Sequence, residues 1–367
     1  MKLLNSLILL LLIAKFATAQ NVTDIKAYLN DNNTTINFSD TNGANIFFKS
    51  VMKNKTLFVL GEGGSHNLDL YNKLRVYLIT PFTHLNLKYF FIEYGRSFAE
   101  ISNNYLKSNI DYSDSIYRKS APYKIQMQKI RKLYQNGRQF IYKGIDMERG
   151  ASLYLAIKEL TSNVNYSTVK SSSFLNSLLV DTSYLHYDDS DEFNNQKHFL
   201  RFYKTLQNNF ASDSNLLIKS MPSVNYDKIK YFISNPQTKP PNGDRNPGMA
   251  KNLLNEINLI DTNATYLLSI GIAHSLLNFK RNVVGILNSS DLLINKIVVM
   301  NVYCDKCSVN GKEINDPRID FMKGDILETF RTTAKSNLTI FDLSKVPPQL
   351  QYLKKYGDLI LFAKQQQ

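Results

Sequence analysis

The stretch LFVLGEGGSH, residues 57–66, decides the fold and the first candidate site. Its first four residues form a short apolar run that stops at glycines, which predicts a buried β-strand followed by a tight turn. Glu62 and His66 lie in that turn. Because α/β proteins place their chemistry at the carboxyl ends of parallel strands, the stretch predicts a strand end with catalytic groups.

Two further apolar runs end in polar residues that suit a site. The stretch TYLLSIGIAH, residues 265–274, repeats the spacing Gly-x-x-His and ends at His274. The stretch YFFIEYG, residues 89–95, contains Glu93 directly after its apolar part. A carboxylate after a buried run needs a partner, and we expect Arg96 or a histidine to supply it. The three strand ends together predict one polar site.

Strands that alternate with helices predict the rest of the fold. Strands are expected at 55–61, 89–93, 140–144, 265–270, 296–303, 338–343 and 358–363. Helices are expected at 67–80 with Pro81 ending the helix, 97–106, 151–160 and 249–260. This order predicts an α/β fold with a mainly parallel central sheet flanked by helices. We expect a polar N-terminal segment at 20–50 and a single domain at 51–367, with a helical insertion at about 163–231.

The N-terminus predicts a cleaved leader at residues 1–19. Lys2 precedes an apolar run at 3–13, and the triplet ATA at 17–19 fits a small-residue cleavage site. The apolar run is short for a membrane span, and the sequence has no other candidate span. We therefore expect an exported protein, periplasmic or secreted, with no stable membrane span after cleavage.

Composition narrows the range of partners. The 367 residues carry a formal net charge of +13, but the lysines are scattered and no Arg-rich block or nucleic-acid-binding motif occurs. This pattern argues against a nucleic-acid partner and predicts a basic surface that attracts anionic groups.

The two cysteines form the pair Cys304-x-x-Cys307. In an exported protein this spacing predicts a local disulfide. A thioredoxin-like redox role is a weaker alternative, because the pair follows a strand instead of opening a helix. A structural zinc site would need two more ligands, and the chain has no second cysteine pair.

The candidate site residues suit acid–base chemistry. A neutral imidazole at His66 can take a proton from water while Glu62 orients the ring. Arg75, on the next predicted helix, could bind an anionic group. Asp146 follows the third strand as a site residue or a helix N-cap. The sequence has no H-E-x-x-H, Walker-type or G-x-S-x-G motif.

The order of these residues resembles the erythromycin-esterase-like proteins, within the wider group of ChaN-type haem-binding lipoproteins and Tiki/TraB proteins. The residues that carry the resemblance are Gly61, Glu62, His66, Arg75, Glu93, Asn104, Tyr105, Leu106, Gly144, Ile145, Asp146, the segment 244–252 and His274. They extend over most of the chain in the order of the family's motifs.

The resemblance implies a hydrolase that cleaves a small-molecule ester or lactone by a metal-independent attack of water, without a cofactor. The implied roles are catalytic for Glu62, His66, Glu93 and His274, and substrate-binding for Arg75, Asp146 and Arg245. His66 would activate the water. Glu62 and Glu93 would orient His66 or the water, and His274 would polarise the carbonyl.

Two alternatives stay open at this point. The spacings Gly63-x-x-His66 and Gly271-x-x-His274 also resemble the Tiki/TraB group. That likeness implies a peptidase in which His66, Glu93 and His274 bind a divalent metal. The ChaN-like alternative is a protein that binds haem or another ligand without catalysis.

Overall fold

The computed structural model of the protein describes residues 22–63, 68–109, 111, 121–180, 192–235, 244–257, 263–277, 279–309, 312–314, 322 and 324–364. Its elements confirm the predicted α/β class, with a main sheet of eight strands and mostly parallel pairing. The predicted leader, residues 1–19, lies outside the described residues.

The bounds of the elements follow in chain order. The strands are β1 (Asn33–Thr35), β2 (Leu57–Glu62), β3 (Leu87–Ile92), β4 (Ile141–Gly144), β5 (Thr265–Gly271), β6 (Ile297–Cys304), β7 (Cys307–Val309), β8 (Lys312–Ile314), β9 (Leu338–Asp342) and β10 (Leu359–Ala363). The helices of the described part are α1 (22–31), α2 (Thr41–Val51), α3 (Asp69–His84), α4 (Arg96–Lys107), α5 (Ala121–Gln135), α6 (Gly150–Leu160), α7 (Tyr166–Ser171), α8 (Ser173–Leu179), α9 (Glu192–Ser212), α10 (Ser214–Ser220), α11 (Ser223–Ile233), α12 (Asn246–Glu256), α13 (Val283–Asn288) and α14 (Gly324–Thr333).

The chain divides into two compact units. The first contains Met1–Lys88, Ser113–Arg138 and Asn263–Gln367, and the second contains Tyr89–Tyr112 and Gln139–Thr262. The second unit is therefore inserted into the sequence of the first in two segments.

Six strands of the first unit lie in the order β1-β9-β10-β6-β2-β5. β2 pairs in parallel with β5 on one side and β6 on the other, and every residue of these three strands is buried. Parallel strands covered on both faces have near-continuous apolar runs, which explains these sequences. The register places Glu62 opposite Gly271 of β5 and Val302 of β6, so the carboxyl ends of the three strands form one edge.

The opposite side of this sheet is antiparallel. β9 is antiparallel to both of its neighbours, β1 and β10. Helix α1 belongs to the core on this side, because Ile25 and Leu29 are buried in one cluster with Phe341 and Phe362. The Tyr28 hydroxyl donates to the carbonyl of Asp342 at 2.9 Å. Part of the polar N-terminal segment is thus an amphipathic helix that covers the sheet.

In the second unit β3 and β4 pair in parallel. The residues that the structure describes between 163 and 231 are mostly helical, with α7 to α11 in this region. Aromatic rings form a core among these helices. The ring of Phe210 lies 5.2 Å from Phe174 and 5.2 Å from Tyr226, centroid to centroid. Such aromatic pairs stabilise a helical core by more than the burial of their apolar surface alone would.

Helix α3 shows that the predicted stop at Pro81 is wrong, because the helix continues to His84. Pro81 has no backbone N–H, so the last turn of the helix forms without one of its hydrogen bonds. The next residue, Phe82, is fully buried, and its ring lies 5.0 Å from that of Phe58 and 5.5 Å from that of Phe48. This packing stabilises the last turn despite the proline.

A disulfide joins Cys304 at the end of β6 to Cys307 at the start of β7, with the two Cα atoms 5.8 Å apart. β7 pairs with β8 in a separate two-stranded sheet. None of the helices in the described ranges has both the length and the hydrophobicity that crossing a membrane requires.

Gly61 of β2 has no space for a side chain. A Cβ atom here would clash with Oδ1 of Asn301 and Oγ of Ser275. Both residues are fully buried, and the Ser275 hydroxyl donates to Asn301 Oδ1 at 2.6 Å. The Asn301 amide donates in turn to the carbonyl of Tyr356 at 2.5 Å. A glycine is therefore required at position 61, because the buried and hydrogen-bonded side chains of Ser275 and Asn301 lie against the strand.

We expect Gly61→Ala to lower the free energy of unfolding by about 1–3 kcal/mol, since overpacking forces these polar groups apart. The matched control is Gly248→Ala in α12, where an added Cβ meets no atom within 4 Å. It should leave stability unchanged or slightly higher. Urea unfolding followed by circular dichroism measures both, and equal stability of the two variants would contradict the account.

Candidate functional site

Glu62 ends β2 as a carboxylate with only 1% of its surface exposed. Arg75 of α3 donates to both carboxylate oxygens, with Nη2 at 2.6 Å from each and Nε at 2.9 Å from Oε1. The hydroxyl of Ser269 in β5 donates to the same Oε1. A buried charge needs such an opposite charge and hydrogen bonds, so these contacts hold Glu62 in one orientation.

Arg75 is itself held by the protein. Its Nη1 lies 3.2 Å from Oε1 of Gln126 and 3.4 Å from Oδ1 of Asn72, and its Nε lies 3.0 Å from Oγ of Ser269. All three guanidinium nitrogens thus donate within the protein, and the residue is 9% exposed. The substrate-binding role of Arg75 stays a prediction, and this bidentate geometry favours a role in positioning Glu62.

His274 belongs to the same edge of the first unit's sheet. It ends a 3₁₀ turn, Ile272–His274, that follows β5 directly, and it is half-buried. The next residue, Ser275, holds the turn through its hydroxyl, which lies 3.0 Å from the carbonyl of Ile272. His66 lies outside the described residues, so its partnership with Glu62 stays a prediction.

In the second unit Arg245 bridges two carboxylates. Its Nη2 donates to Oε1 of Glu93 at 2.6 Å, and its Nη1 donates to Oδ2 of Asp146. Glu93 follows β3 and Asp146 follows β4, while Arg245 precedes the first turn of α12. The side chain of Arg245 is 32% exposed, whereas those of Glu93 and Asp146 are 8% and 5% exposed. The cluster therefore presents a guanidinium to solvent above two buried acids.

Burial raises the pKa of Asp146 above its ordinary value. The charge of Arg245 acts in the opposite direction and lowers this pKa, and the negative charge of Glu93 raises it. The ionised form of Asp146 thus depends on Arg245.

Glu148 is a buried acid that sequence analysis missed. It accepts from the backbone N–H of Arg96 at 2.8 Å and of Ser97 at 3.1 Å, and from the amide of Asn235 at 2.8 Å. These bonds satisfy the first N–H groups of α4. Burial raises the pKa of Glu148, although these hydrogen bonds lower it in part. No local pattern marks Glu148, because its partners are distant in sequence.

Arg96 has a different role from the one expected. Arg245 is a partner of Glu93, while Arg96 donates to the carbonyl of Tyr231 at 2.8 Å and to Oδ1 of Asn252 at 3.0 Å. Its guanidinium also lies 4.2 Å from the centroid of the Tyr231 ring. Arg96 therefore joins α4 to α11 and α12.

The structure groups the predicted site residues by unit. Glu62, Arg75 and His274 lie in the first unit, and Glu93, Asp146 and Arg245 lie in the second. Within the described residues no three His, Cys, Asp or Glu side chains are grouped as a metal site. The alternative metal set includes His66, which lies outside the described residues, so that alternative stays a prediction.

Comparisons with known proteins bear on the fold. The sequence matches no family profile and no curated protein. A protein from Bacillus cereus has the same fold, with a TM-score of 0.62 at 12% identity over 94% of this chain and 97% of that chain. A succinoglycan biosynthesis protein matches with a TM-score of 0.61 at 10% identity over 94% and 97%.

A third match is a histidine-to-asparagine variant of the erythromycin esterase EreC in its open conformation. Its TM-score is 0.56 at 14% identity, over 88% of this chain and 93% of that chain. The fold is shared with an erythromycin esterase. Identities this low establish the fold alone, so the resemblance is confirmed at that level and no further.

We expect Arg75→Met to lower the free energy of unfolding by about 3–5 kcal/mol, because it leaves Glu62 as a buried charge without its cation. The double variant Glu62→Gln/Arg75→Met buries no charge and should lose less stability than the single variant. Urea unfolding at pH 7 compares the two. A single variant as stable as the double would mean that the ion pair does not constrain the fold.

A second prediction concerns pH. Burial raises the folded-state pKa of Asp146, and Arg245→Ala should raise it further. A carboxyl group with a raised folded pKa contributes stability at low pH that is lost as pH rises through that pKa. The stability lost by Arg245→Ala should therefore be small near pH 4 and grow to about 2–3 kcal/mol at pH 7, with a discount for the partial exposure of Arg245.

The measurement is urea unfolding of the wild type and Arg245→Ala across this pH range. In the control Arg245→Ala/Asp146→Asn, the carboxyl group of Asp146 is removed, so the part of the pH dependence that Asp146 contributes should be lost. A loss of stability that is constant with pH would contradict the prediction.

Proposed function

We propose that the protein is a hydrolase that cleaves an ester or lactone by attack of an activated water, without a metal or cofactor. The observation that carries the proposal is the buried Glu62–Arg75 pair at the carboxyl end of β2, at the same sheet edge as His274. The fold shared with an erythromycin esterase supports it. In such folds this edge is the usual place for chemistry.

In the proposed reaction His66 is the general base. It takes a proton from water as the water oxygen attacks the ester carbonyl, and the resulting imidazolium returns a proton to the leaving alcohol. His274 polarises the carbonyl and stabilises the negative oxygen of the tetrahedral intermediate. Arg75 and Ser269 hold Glu62 in one orientation, and the negative charge of Glu62 stabilises the imidazolium form of His66.

The residues of the second unit enter the proposal as candidates for substrate binding. Arg245 has donor groups within reach of solvent, because its side chain is 32% exposed while Glu93 and Asp146 hold it in place. A carbonyl or an anionic group of a substrate could accept from it.

Export belongs to the same proposal. The predicted leader supports it, and so does the Cys304–Cys307 disulfide, since disulfides persist in oxidising compartments. The substrate would accordingly be a small molecule met outside the cytoplasm.

The test is hydrolysis of a panel of esters and lactones by the protein in the presence of a chelator. His66→Ala should lower kcat by about 10²–10⁴-fold, the usual contribution of a general base. The matched control is His84→Ala, at an exposed histidine that ends α3, which should keep full activity.

Two results would contradict the proposal. Full activity of His66→Ala would remove the assigned base. Hydrolysis that occurs only after a divalent metal is added would favour the metal-dependent alternative.

A further inference from the structure

We propose that Phe279, Lys280 and Arg281 form a binding lip beside His274 for an amphipathic anionic substrate, one with both an apolar group and a negative charge. The inference rests on the proposed function for the reaction itself, and it adds the class of substrate.

The three side chains of the lip are exposed together. Phe279 has 59% of its surface exposed, and Lys280 and Arg281 are also exposed. Within the part of the chain that the structure describes, neither cation has an ion pair or a side-chain hydrogen bond, and the phenyl ring has no aromatic neighbour. A single exposed apolar residue is ordinary on a protein surface. Two unpaired cations directly after an exposed phenyl ring are a less common combination.

The backbone beneath the lip is fixed. The N–H of Asn282 donates to the carbonyl of Phe279 at 3.0 Å, and the Asn282 side-chain amide donates to the carbonyl of Leu276 at 2.6 Å. Asn282 Oδ1 also accepts from the N–H of Gly285 at 2.7 Å and so caps α13. Asn282 is 3% exposed. A preorganised loop loses little entropy on binding, which suits a recognition surface.

Chain geometry places the lip near His274. Leu276 and Phe279 are the ends of a turn, since the N–H of Phe279 lies 3.5 Å from the carbonyl of Leu276. The ends of such a turn have Cα atoms within about 7 Å, and only Ser275 lies between His274 and Leu276 in the sequence. The Cα atoms of Phe279 and His274 are therefore within about 15 Å, the reach of a medium-sized ligand. The lip thus begins five positions after the proposed carbonyl-polarising residue.

The chemistry of the lip defines the ligand. An apolar group of the ligand that packs on the phenyl ring is removed from water, which favours binding. The two neighbouring cations attract a negative group of the same ligand. The excess of positive charge along the chain strengthens this attraction over longer distances. An ester with a short apolar chain and a terminal carboxylate has both features, whereas a neutral ester has only one.

The first experiment measures binding without catalysis. Anilinonaphthalene sulfonate, an anionic aromatic probe, is titrated into the wild type and into the lip variant Phe279→Ser/Lys280→Gln/Arg281→Gln. We expect the lip variant to bind it at least about tenfold more weakly, and the wild-type affinity to fall as salt is added. The matched control, Ile46→Ser/Lys49→Gln/Lys53→Gln, removes one apolar and two cationic exposed side chains elsewhere in the first unit and should bind like the wild type.

The second experiment measures specificity with two nitrophenyl esters of equal chain length, the valerate and the hydrogen glutarate. The wild type should have a higher kcat/KM for the anionic glutarate. The lip variant should reduce the ratio of the two kcat/KM values about tenfold, and Lys280→Gln/Arg281→Gln alone should account for most of that reduction because it removes the charge.

The outcomes separate the two proposals. If the wild type hydrolyses neither ester, the proposed function fails, while probe binding still decides whether the lip is a site. Equal probe affinity in the wild type and the lip variant, or no probe binding by the wild type, would overturn the lip. Weaker binding by the control variant to the same extent would also overturn it, because the effect would then be one of general surface charge.

Discussion

The buried ion pair between Glu62 and Arg75 is the constraint on which the first unit depends. An ionised carboxylate at 1% exposure is tolerated only with an opposite charge and a full set of hydrogen bonds. β2 provides the acid, α3 the cation, β5 the hydroxyl of Ser269 and α5 the amide of Gln126. These four elements must therefore pack together for the ion pair to form. The packing that buries the core thus also positions the polar residues at the edge of the sheet.

The second unit also contains a buried acid whose carboxylate needs hydrogen-bond partners. Glu148 is buried without a cation on its carboxylate among the described contacts, and backbone N–H groups of α4 and the amide of Asn235 satisfy it. Arg96 and Asn252 extend these contacts to α11 and α12. Hydrogen bonds to a fixed carboxylate thus hold helix ends in place, while the side chain of Arg245 is 32% exposed.

The sequence predicts the sheet better than the site. Each of the seven expected strands is present with bounds within two residues of the prediction, because each contains an apolar run that is buried in the sheet at least in part. The three-residue strands β1, β7 and β8 are too short to produce a pattern. Pro81 is a position where the rule that a proline ends a helix fails. The helix continues to His84 because burial of Phe82 stabilises its last turn.

The site residues were found where polar groups interrupt an apolar run, as at Glu62 and Glu93. Their partners could not be found in this way. Arg245 is far from Glu93 in sequence, and only the folded chain brings the two together. Ser269 did leave a signal, because a hydroxyl inside the buried run of β5 needs an acceptor. Glu148 had none, since it follows no strand directly and its partners come from distant helices.

The insertion of one unit into the other has a consequence for synthesis on the ribosome. Domains tend to fold as units while the chain emerges from its N-terminus. The second unit is complete by Thr262, whereas β2 receives its neighbours only when β5 and β6 follow, the latter ending at Cys304. The buried strand β2 therefore stays without its two partner strands while more than half of the chain is synthesised. Selection for chaperone binding, or against early association of the unpaired strand, would act on Leu57–Glu62. This strand also carries Glu62, the acid at the polar edge of the sheet.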